Sequence, residues 1–191
     1  MKLIFGVGIN DADYVTSPRV CGKANPCKVY VKWQNMLKRA YYTRSQLPSY
    51  QGVSVCSEWH RFSNFKKWHD ANHIPEWQLD KDILTDMKEY APDTCLFVPS
   101  WLNSFITDRK LWRGEFPIGV DWSKRSNAFR ARCSNPISKR EVHLGYFKSK
   151  EEAYFAWRTH KMDIAYQLKD LMDAVDPRVY YRVTEIIMRA R

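Results

Sequence analysis

The side chains best suited to chemistry in this chain are the arginines of one alternating segment. Arg130 and Arg132 alternate with Phe129, Ala131 and Cys133. Because successive side chains of a strand point to opposite faces, this pattern predicts one apolar face and one basic face. Arginine can hydrogen-bond the guanine acceptors in the major groove of DNA, and lysine can contact phosphates. The segment predicts either a surface that reads nucleic acid or a polar face that is only solvated.

Basic residues on both sides of this strand extend the same prediction. Residues 101–150 contain eleven Lys or Arg and four Asp or Glu, which gives +7 of the net charge of +10 carried by the whole chain. Such a balance favours a polyanionic partner. We predict that the DNA-binding residues are Lys124, Arg125, Arg130, Arg132, Lys139, Arg140 and His143.

Three strands and a helix must position these residues. Alternation predicts strands over 118–122, 128–134 and 141–147. An amphipathic helix over 150–171 follows, with Ser149 as its N-cap, and Pro177 is suited to the first turn of a last helix. The apolar faces of the strands and of the helix are expected to pack on each other, which leaves the arginine face exposed.

Short motifs in order across 114–169 carry a resemblance to a known domain. They are Gly119-Val120, Phe129-x-Ala131, Leu144-Gly145-x-Phe147, Glu151-Glu152-Ala153 and Ala156-Trp157. Together they resemble the AP2 DNA-binding domain, found in plant transcription factors and phage endonucleases. The resemblance implies a three-stranded antiparallel sheet packed on one helix, with the exposed sheet face in the major groove of double-stranded DNA. Asp121, Glu141 and His143 stand where plant members often carry Arg or Trp, so the base preference does not transfer.

A second set of motifs lies upstream. Residues 79–83 (LDKDI) and 94–103 (TCLFVPSWLN) resemble the ββα-metal core of HNH endonucleases. In that family an Asp on a strand and an Asn or His on the following helix hold one divalent ion, and a His activates water. The resemblance implies that Asp80 and Asn103 are ligands of Mg²⁺ or another divalent ion. It also places Lys81 at the position of the catalytic His and Thr94 at that of a structural Asn.

The lysine at this position changes the expected chemistry. A lysine of ordinary pKa is protonated near pH 7 and cannot accept a proton as a neutral imidazole can. If 77–84 is one strand, Asp80 and Asp82 lie on the same side, and an oxygen set suited to Mg²⁺ results. The proton would then go to Asp82 or to a histidine from elsewhere, such as His60, His69 or His73. The predicted metal ligands are Asp80, Asp82 and Asn103, and the candidate catalytic residues are Asp80, Lys81, Asp82 and Asn103. A solvated Asp-Lys-Asp turn would show the same sequence.

Cysteine use and hydropathy give the expected compartment. The five cysteines include no C-x-x-C pair, which is typical of a reducing environment and not of a disulfide or zinc scaffold. No run of 18 apolar residues is present, so no membrane contact is expected. We predict a cytoplasmic protein, in a bacterial host if the chain comes from a phage.

The whole chain is expected to be an α+β protein. We predict an N-terminal helical region with the ββα unit over 1–110, the AP2-like domain over 111–171 and a C-terminal helix over 172–191. In this arrangement it resembles phage HNH/AP2 endonucleases of the homing type, which implies sequence-guided DNA binding with metal-dependent phosphodiester cleavage. The alternative is an inactive nucleic-acid-binding protein that regulates or interferes with host machinery, with RNA or a host protein as further partners.

Overall fold

The computed structural model describes residues 3–42, 50–107 and 115–190 of a mixed α+β protein, as the sequence predicts. The chain divides into two compact units, Met1–Phe97 and Val98–Arg191. The domain boundary predicted after residue 110 falls among residues 108–114, outside the described ranges. In the parts of the chain that are described, no helix combines the length and apolar character needed to cross a membrane.

The first unit contains two α-helices with short strands around them. Helix α1 is Lys28–Leu37, continued by a π-helical segment over Lys38–Tyr42, and helix α2 is Phe62–Asn72, preceded by a 3-10 turn over Ser57–His60. The strands are β1 (Arg19–Val20), β2 (Lys23–Ala24), β3 (Ser54–Val55), β4 (Gln78–Asp80), β5 (Glu89–Tyr90) and β6 (Leu96–Val98). Strands β1 and β2 pair antiparallel, β3 and β5 pair parallel, and β4 pairs with β6.

Aromatic side chains of α1, of α2 and of the 3-10 turn before α2 lie in the core of the first unit. Trp33, Phe62 and Phe65 are fully buried and Trp59 is nearly so. The Trp33 Nε1–H donates to the Trp59 carbonyl at 2.7 Å, so the polar atom of this buried ring is satisfied. Trp59 meets the Phe65 ring edge to face, with ring centroids 5.2 Å apart. These aromatic side chains therefore pack inside the first unit and are not available on its surface to stack on bases.

The second unit has a three-stranded sheet and four helices among its described residues. Its elements are α3 (Ser100–Ile106), β7 (Val120–Ser123), β8 (Ala128–Ser134), β9 (Glu141–Phe147), α4 (Lys150–Gln167), α5 (Lys169–Asp173) and α6 (Val179–Arg189). The strands lie in the order β7, β8, β9, and both pairings are antiparallel. All three strands predicted from alternation are present, and the helix predicted over 150–171 is divided at Leu168.

The start of α4 follows from its sequence. The Ser149 hydroxyl accepts from the Glu152 backbone N–H at 3.1 Å, and the Glu152 carboxylate accepts from the Ser149 N–H at 3.3 Å. This reciprocal capping box satisfies backbone donors that the helix itself cannot. The predicted N-cap is confirmed, and it fixes where α4 begins relative to the end of β9.

The sheet packs on α4 through small residues. Ala131 and Ala153 have no exposed surface, and together with Val120 they form the centre of this core. Gly119, just before β7, has φ of +76° and lies directly against the Trp157 indole. A side chain at this position would meet the ring, so the close approach of β7 and α4 requires glycine. The face of the sheet away from α4 is the one that carries the arginines.

Candidate nucleic-acid interface

The register of the sheet brings five polar side chains to the face opposite α4. Arg130 lies opposite Asp121 on β7 and opposite Tyr146 on β9, while Arg132 lies opposite His143. The β8–β9 register shifts between Ala131 and Arg132, so that one residue of β9 is left without a partner. This β-bulge lets His143 and Tyr146 lie on one face, with ring centroids 4.7 Å apart. We call the surface formed by Asp121, Arg130, Arg132, His143 and Tyr146 the reader face.

Asp121 holds both arginines of the reader face. Its carboxylate accepts from Arg130 Nε at 2.9 Å and Nη2 at 3.1 Å. It also accepts from Arg132 Nε at 3.0 Å and Nη2 at 2.6 Å. A further bond runs from Arg132 Nη1 to Glu141 at 2.8 Å. Two cations and two anions thus form one network, which fixes the orientation of both guanidinium groups.

The protonation of Asp121 reflects this network. Partial burial by itself raises the pKa of the carboxyl, but the hydrogen bonds from Arg130 and then Arg132 outweigh the loss of solvation and hold the pKa below its ordinary value. Asp121 therefore stays ionised well below neutral pH. The same bond raises the pKa of Arg130. At the centre of the reader face, the arginine side chains are consequently held in place, the net charge is close to zero, and many N–H donors are present.

Uncompensated positive charge lies at the two ends of the sheet. Lys124 and Arg125 are exposed in the turn between β7 and β8, and Lys139 and Arg140 are exposed in the loop between β8 and β9. No ion pair involves these four side chains within the described residues. The seven residues predicted for DNA contact are thus brought to one sheet, three on its face and four at its ends.

Two residues of the reader face are missing from the prediction. The sequence marks Asp121 as a departure from the AP2 pattern but not as the residue that orients the arginines, and it does not single out Tyr146. Cross-strand counting would have found Asp121, because a hairpin that turns between residues 123 and 128 pairs 121 with 130. Tyr146 could not be found this way. The bulge in β9 inserts one extra residue, so counting in twos along the strand assigns His143 and Tyr146 to opposite faces.

The predicted metal ligands do not assemble as the strand prediction requires. Strand β4 ends at Asp80, so alternation does not extend to Asp82, and the expectation that both carboxylates lie on one side of a strand is wrong. The physical cause is the Asp80 side chain itself. Its Oδ1 accepts from the backbone N–H groups of Asp82 at 2.8 Å and Ile83 at 2.9 Å, which turns the chain away.

The chemistry of these side chains also argues against a metal site. Lys81 is buried and forms an ion pair with Asp82, whose side chain is 66% exposed. Burial raises the pKa of Asp80 in spite of its backbone hydrogen bonds. One carboxylate is thus engaged with the backbone and the other with an ammonium group, so the set does not fit Mg²⁺, which needs available charged oxygens. Asn103 lies on α3, in the second unit. Among the described residues, no three His, Cys, Asp or Glu side chains gather where they could hold an ion.

The histidines considered as bases are engaged in the first unit. His60 Nε2 lies 3.0 Å from the Tyr41 hydroxyl. His69 is buried, with Nε2 3.5 Å from Lys32 Nζ and Nδ1 3.3 Å from Asp70. Burial lowers the pKa of His69 and, with Lys32, that of His73. These contacts hold the rings within the first unit, and no carboxylate cluster for a metal ion accompanies them in the described chain.

Comparison of the chain with protein-family models, with curated proteins and with solved structures found no match.

Proposed function

We propose that this protein binds duplex DNA through the reader face and does not cleave it. One observation carries the proposal: the register of β7, β8 and β9 places Arg130, Arg132 and His143 together on the sheet face that does not pack on α4. The AP2 resemblance of residues 114–169 supports it, because that domain uses the corresponding face. The net charge of +10 adds the attraction to phosphates that DNA binding needs.

The dimensions of the sheet favour the major groove. Neighbouring strands lie about 4.8 Å apart, so three strands present a ribbon about 10 Å across. The major groove of B-DNA is about 12 Å wide and the minor groove only about 6 Å. With the ribbon in the major groove, the arginine side chains face base edges. The basic turn and loop at its ends, Lys124-Arg125 and Lys139-Arg140, are then suited to phosphates on either side.

Asp121 gives the arginines their specificity in this arrangement. A guanidinium group that a carboxylate already holds in one orientation loses little rotamer entropy when it binds a base. The entropy of ordering this side chain is lost during folding and not during DNA binding. The same carboxylate repels phosphate, which lowers the affinity for DNA of any sequence. We therefore assign Asp121 to discrimination between sequences and the four end residues to overall affinity.

The proposal that the protein does not cleave DNA rests on the Asp80–Asp82 segment. Phosphodiester hydrolysis in the HNH manner needs a metal-held phosphate and a base for water. Lys81 stands where that base belongs and is paired with Asp82, while Asp80 supports a backbone turn. We propose that the chain retains DNA recognition as a regulator of, or competitor for, the sites used by other machinery.

Replacing both arginines should weaken DNA binding selectively. For Arg130→Ala combined with Arg132→Ala we expect an affinity loss of about tenfold to a hundredfold on a preferred site, and a smaller loss on unrelated duplex. Fluorescence anisotropy with labelled duplexes, repeated at several salt concentrations, measures the affinity for the preferred site and for unrelated duplex. The preferred duplex is first selected from a random library with the natural protein.

The control for this experiment removes the same charge elsewhere. Arg19 and Lys23 are exposed in the β1–β2 hairpin of the first unit. Changing both to Ala alters the net charge equally but should reduce the affinity far less. If the two double variants behave alike, or if neither differs from the natural protein, the reader face does not bind DNA.

Asp121→Asn should have the opposite effect on general affinity. Loss of the carboxylate frees both guanidinium groups for phosphate contacts, so we expect tighter binding to random duplex and a smaller ratio between preferred and random sites. Asp176→Asn is the matched control, because Asp176 pairs with Arg178 outside the sheet and the charge change is the same. If the ratio of the affinities for preferred and random duplex is the same in Asp121→Asn as in the natural protein, the role given to this carboxylate is contradicted.

A plasmid assay separates binding from cleavage. Supercoiled DNA incubated with excess protein and Mg²⁺ or Mn²⁺ should remain supercoiled, although anisotropy shows binding under the same conditions. Nicking that disappears in Asp80→Ala would establish the endonuclease instead. Nicking that persists in Asp80→Ala would point to a contaminant.

A further inference from the structure

The second unit contains a pocket that shares Asp121 and Arg132 with the reader face but extends beyond it to α3 and α4. Its volume is about 560 Å³, and it opens at one end of the sheet, between the ends of the strands and helices α3 and α4. Its walls include Phe105, Cys133, Trp157 and Lys161. A volume of this size is within the range of small-molecule sites, which are largely apolar with a few placed polar groups.

Lys161 is the polar group in this pocket for which the described part of the chain provides no countercharge. Its ammonium lies over the Phe105 ring, 3.6 Å from the centroid. No carboxylate pairs with it within the described residues. Two acids do line the pocket, Asp121 and Glu141, but both accept hydrogen bonds from Arg132. Among the described residues, the pocket therefore offers one cation that no carboxylate pairs with.

The surroundings of this cation limit what can neutralise it. Phe105 and Trp157 give the pocket aromatic walls, so a ligand with an apolar body gains burial there. A single ammonium matches a single negative charge, while the acids already at the rim would repel a dianion. Cys133, the titratable group of β8 beside Lys161, has its pKa raised by burial and is a neutral thiol at pH 7.

We propose that this pocket binds a small monocarboxylate with an apolar body, held by the Lys161 ammonium against the Phe105 and Trp157 rings. A carboxylate there completes an ion pair in a partly desolvated site, where charge-assisted hydrogen bonds are strong. The loss of solvation lowers the pKa of Lys161 to about 8, so the group is still mainly charged at neutral pH. A phosphate monoester is the competing anion, and the dianionic charge disfavours it.

Ligand-induced changes in melting temperature test the proposal without DNA, so the outcome is separate from that of the proposed function. The probes are benzoate, its neutral isostere benzamide, and phenyl phosphate, each added to the natural protein at millimolar concentration and matched ionic strength. We expect benzoate to raise the melting temperature in a saturable manner, benzamide to leave it unchanged, and phenyl phosphate to act more weakly than benzoate. Calorimetric titration with benzoate then gives the dissociation constant.

Two lysine variants assign the site. Lys161→Met should abolish the benzoate-dependent shift, and the comparison is made within each variant so that its own stability does not matter. Lys169→Met is the control, because Lys169 is paired with Asp173 and does not line the pocket. It should respond to benzoate as the natural protein does. A benzoate shift equal in Lys161→Met and the natural protein, no shift up to the solubility limit, or stronger binding of phenyl phosphate would each overturn the proposal.

Discussion

Gly119→Ala should strongly destabilise the second unit while leaving the stability of the first unit little changed. A Cβ atom at Gly119 would overlap the Trp157 indole, and φ of +76° is a conformation that alanine adopts only with strain. Trp157 is itself buried against the sheet and cannot move aside without opening this core. We expect a loss of about 3–5 kcal/mol in the free energy of unfolding, a large part of what a domain of this size has.

Hydrogen exchange with peptide resolution measures this effect. Amide protection in β8 and α4 should fall sharply in Gly119→Ala, while protection in α1 and α2 should persist. Gly22→Ala is the control for backbone strain alone, since Gly22 has φ of +74° and open space around it. Its expected cost is about 1 kcal/mol. Similar costs in the two variants would show that the Trp157 contact is not what requires glycine.

Lys161→Met should make the protein more stable at neutral pH. The pKa of Lys161 is about 8 in the folded protein, against 10.5 for an unperturbed lysine. Each tenfold change in proton affinity corresponds to about 1.4 kcal/mol, so holding this ammonium in the folded state costs up to about 3 kcal/mol. Methionine keeps the apolar stem and can contact the Phe105 ring through sulfur. We expect a gain of about 1–3 kcal/mol at pH 7, measured by chemical denaturation.

The pH dependence of this gain gives it a second test. Below pH 8 the lysine is charged in both states and the full cost is present. Between about 8 and 10.5 the unfolded chain binds the proton and the folded protein does not, so the stability of the natural protein rises with pH. The advantage of Lys161→Met should therefore shrink over this range. Tyrosines and other groups also titrate between pH 8 and 10.5, but they are the same in both proteins. The quantity to follow is therefore the difference in the free energy of unfolding between Lys161→Met and the natural protein.

A lysine outside the pocket provides the control for the stability gain expected in Lys161→Met. Lys150→Met removes an exposed contact with Glu151, 4.0 Å apart, which is worth little, and should change stability by less than about 1 kcal/mol at any pH. A Lys161→Met protein that is less stable than the natural one would mean that the ammonium is well solvated or paired. An advantage that does not vary with pH would mean that packing, not charge, is responsible.

Local sequence patterns predicted the elements of the second unit well. Strict alternation marks 128–134 as a strand, and the Ser149–Glu152 spacing marks the start of α4, because both signals depend on near neighbours. The Asp80 region was predicted less well. A strand over 77–84 is compatible with the hydropathy, but the Asp80 carboxylate closes a turn on the next residues, and such local competition is not visible in periodicity.

The site residues that were missed depend on contacts distant in sequence. Asp121 joins Arg130 and Arg132 only through the strand register, and the Lys161 ammonium loses solvation in the pocket where it lies over Phe105 of α3. The helix pattern places Lys161 beside the apolar stripe of α4, where a lysine is usually solvated. Its lost solvation is a property of the assembled unit.

The bulge in β9 limits how the gene for this protein can change. His143 and Tyr146 lie on the same face only because one extra residue interrupts the pairing with β8. Deleting a codon inside β9 would move every side chain on one side of the deletion to the opposite face of the sheet. Codons added to the turn at 124–127 would leave the side chains of β7 and β8 on their present faces. Length variation among descendants of this chain is therefore expected at the hairpin tip and not within the third strand.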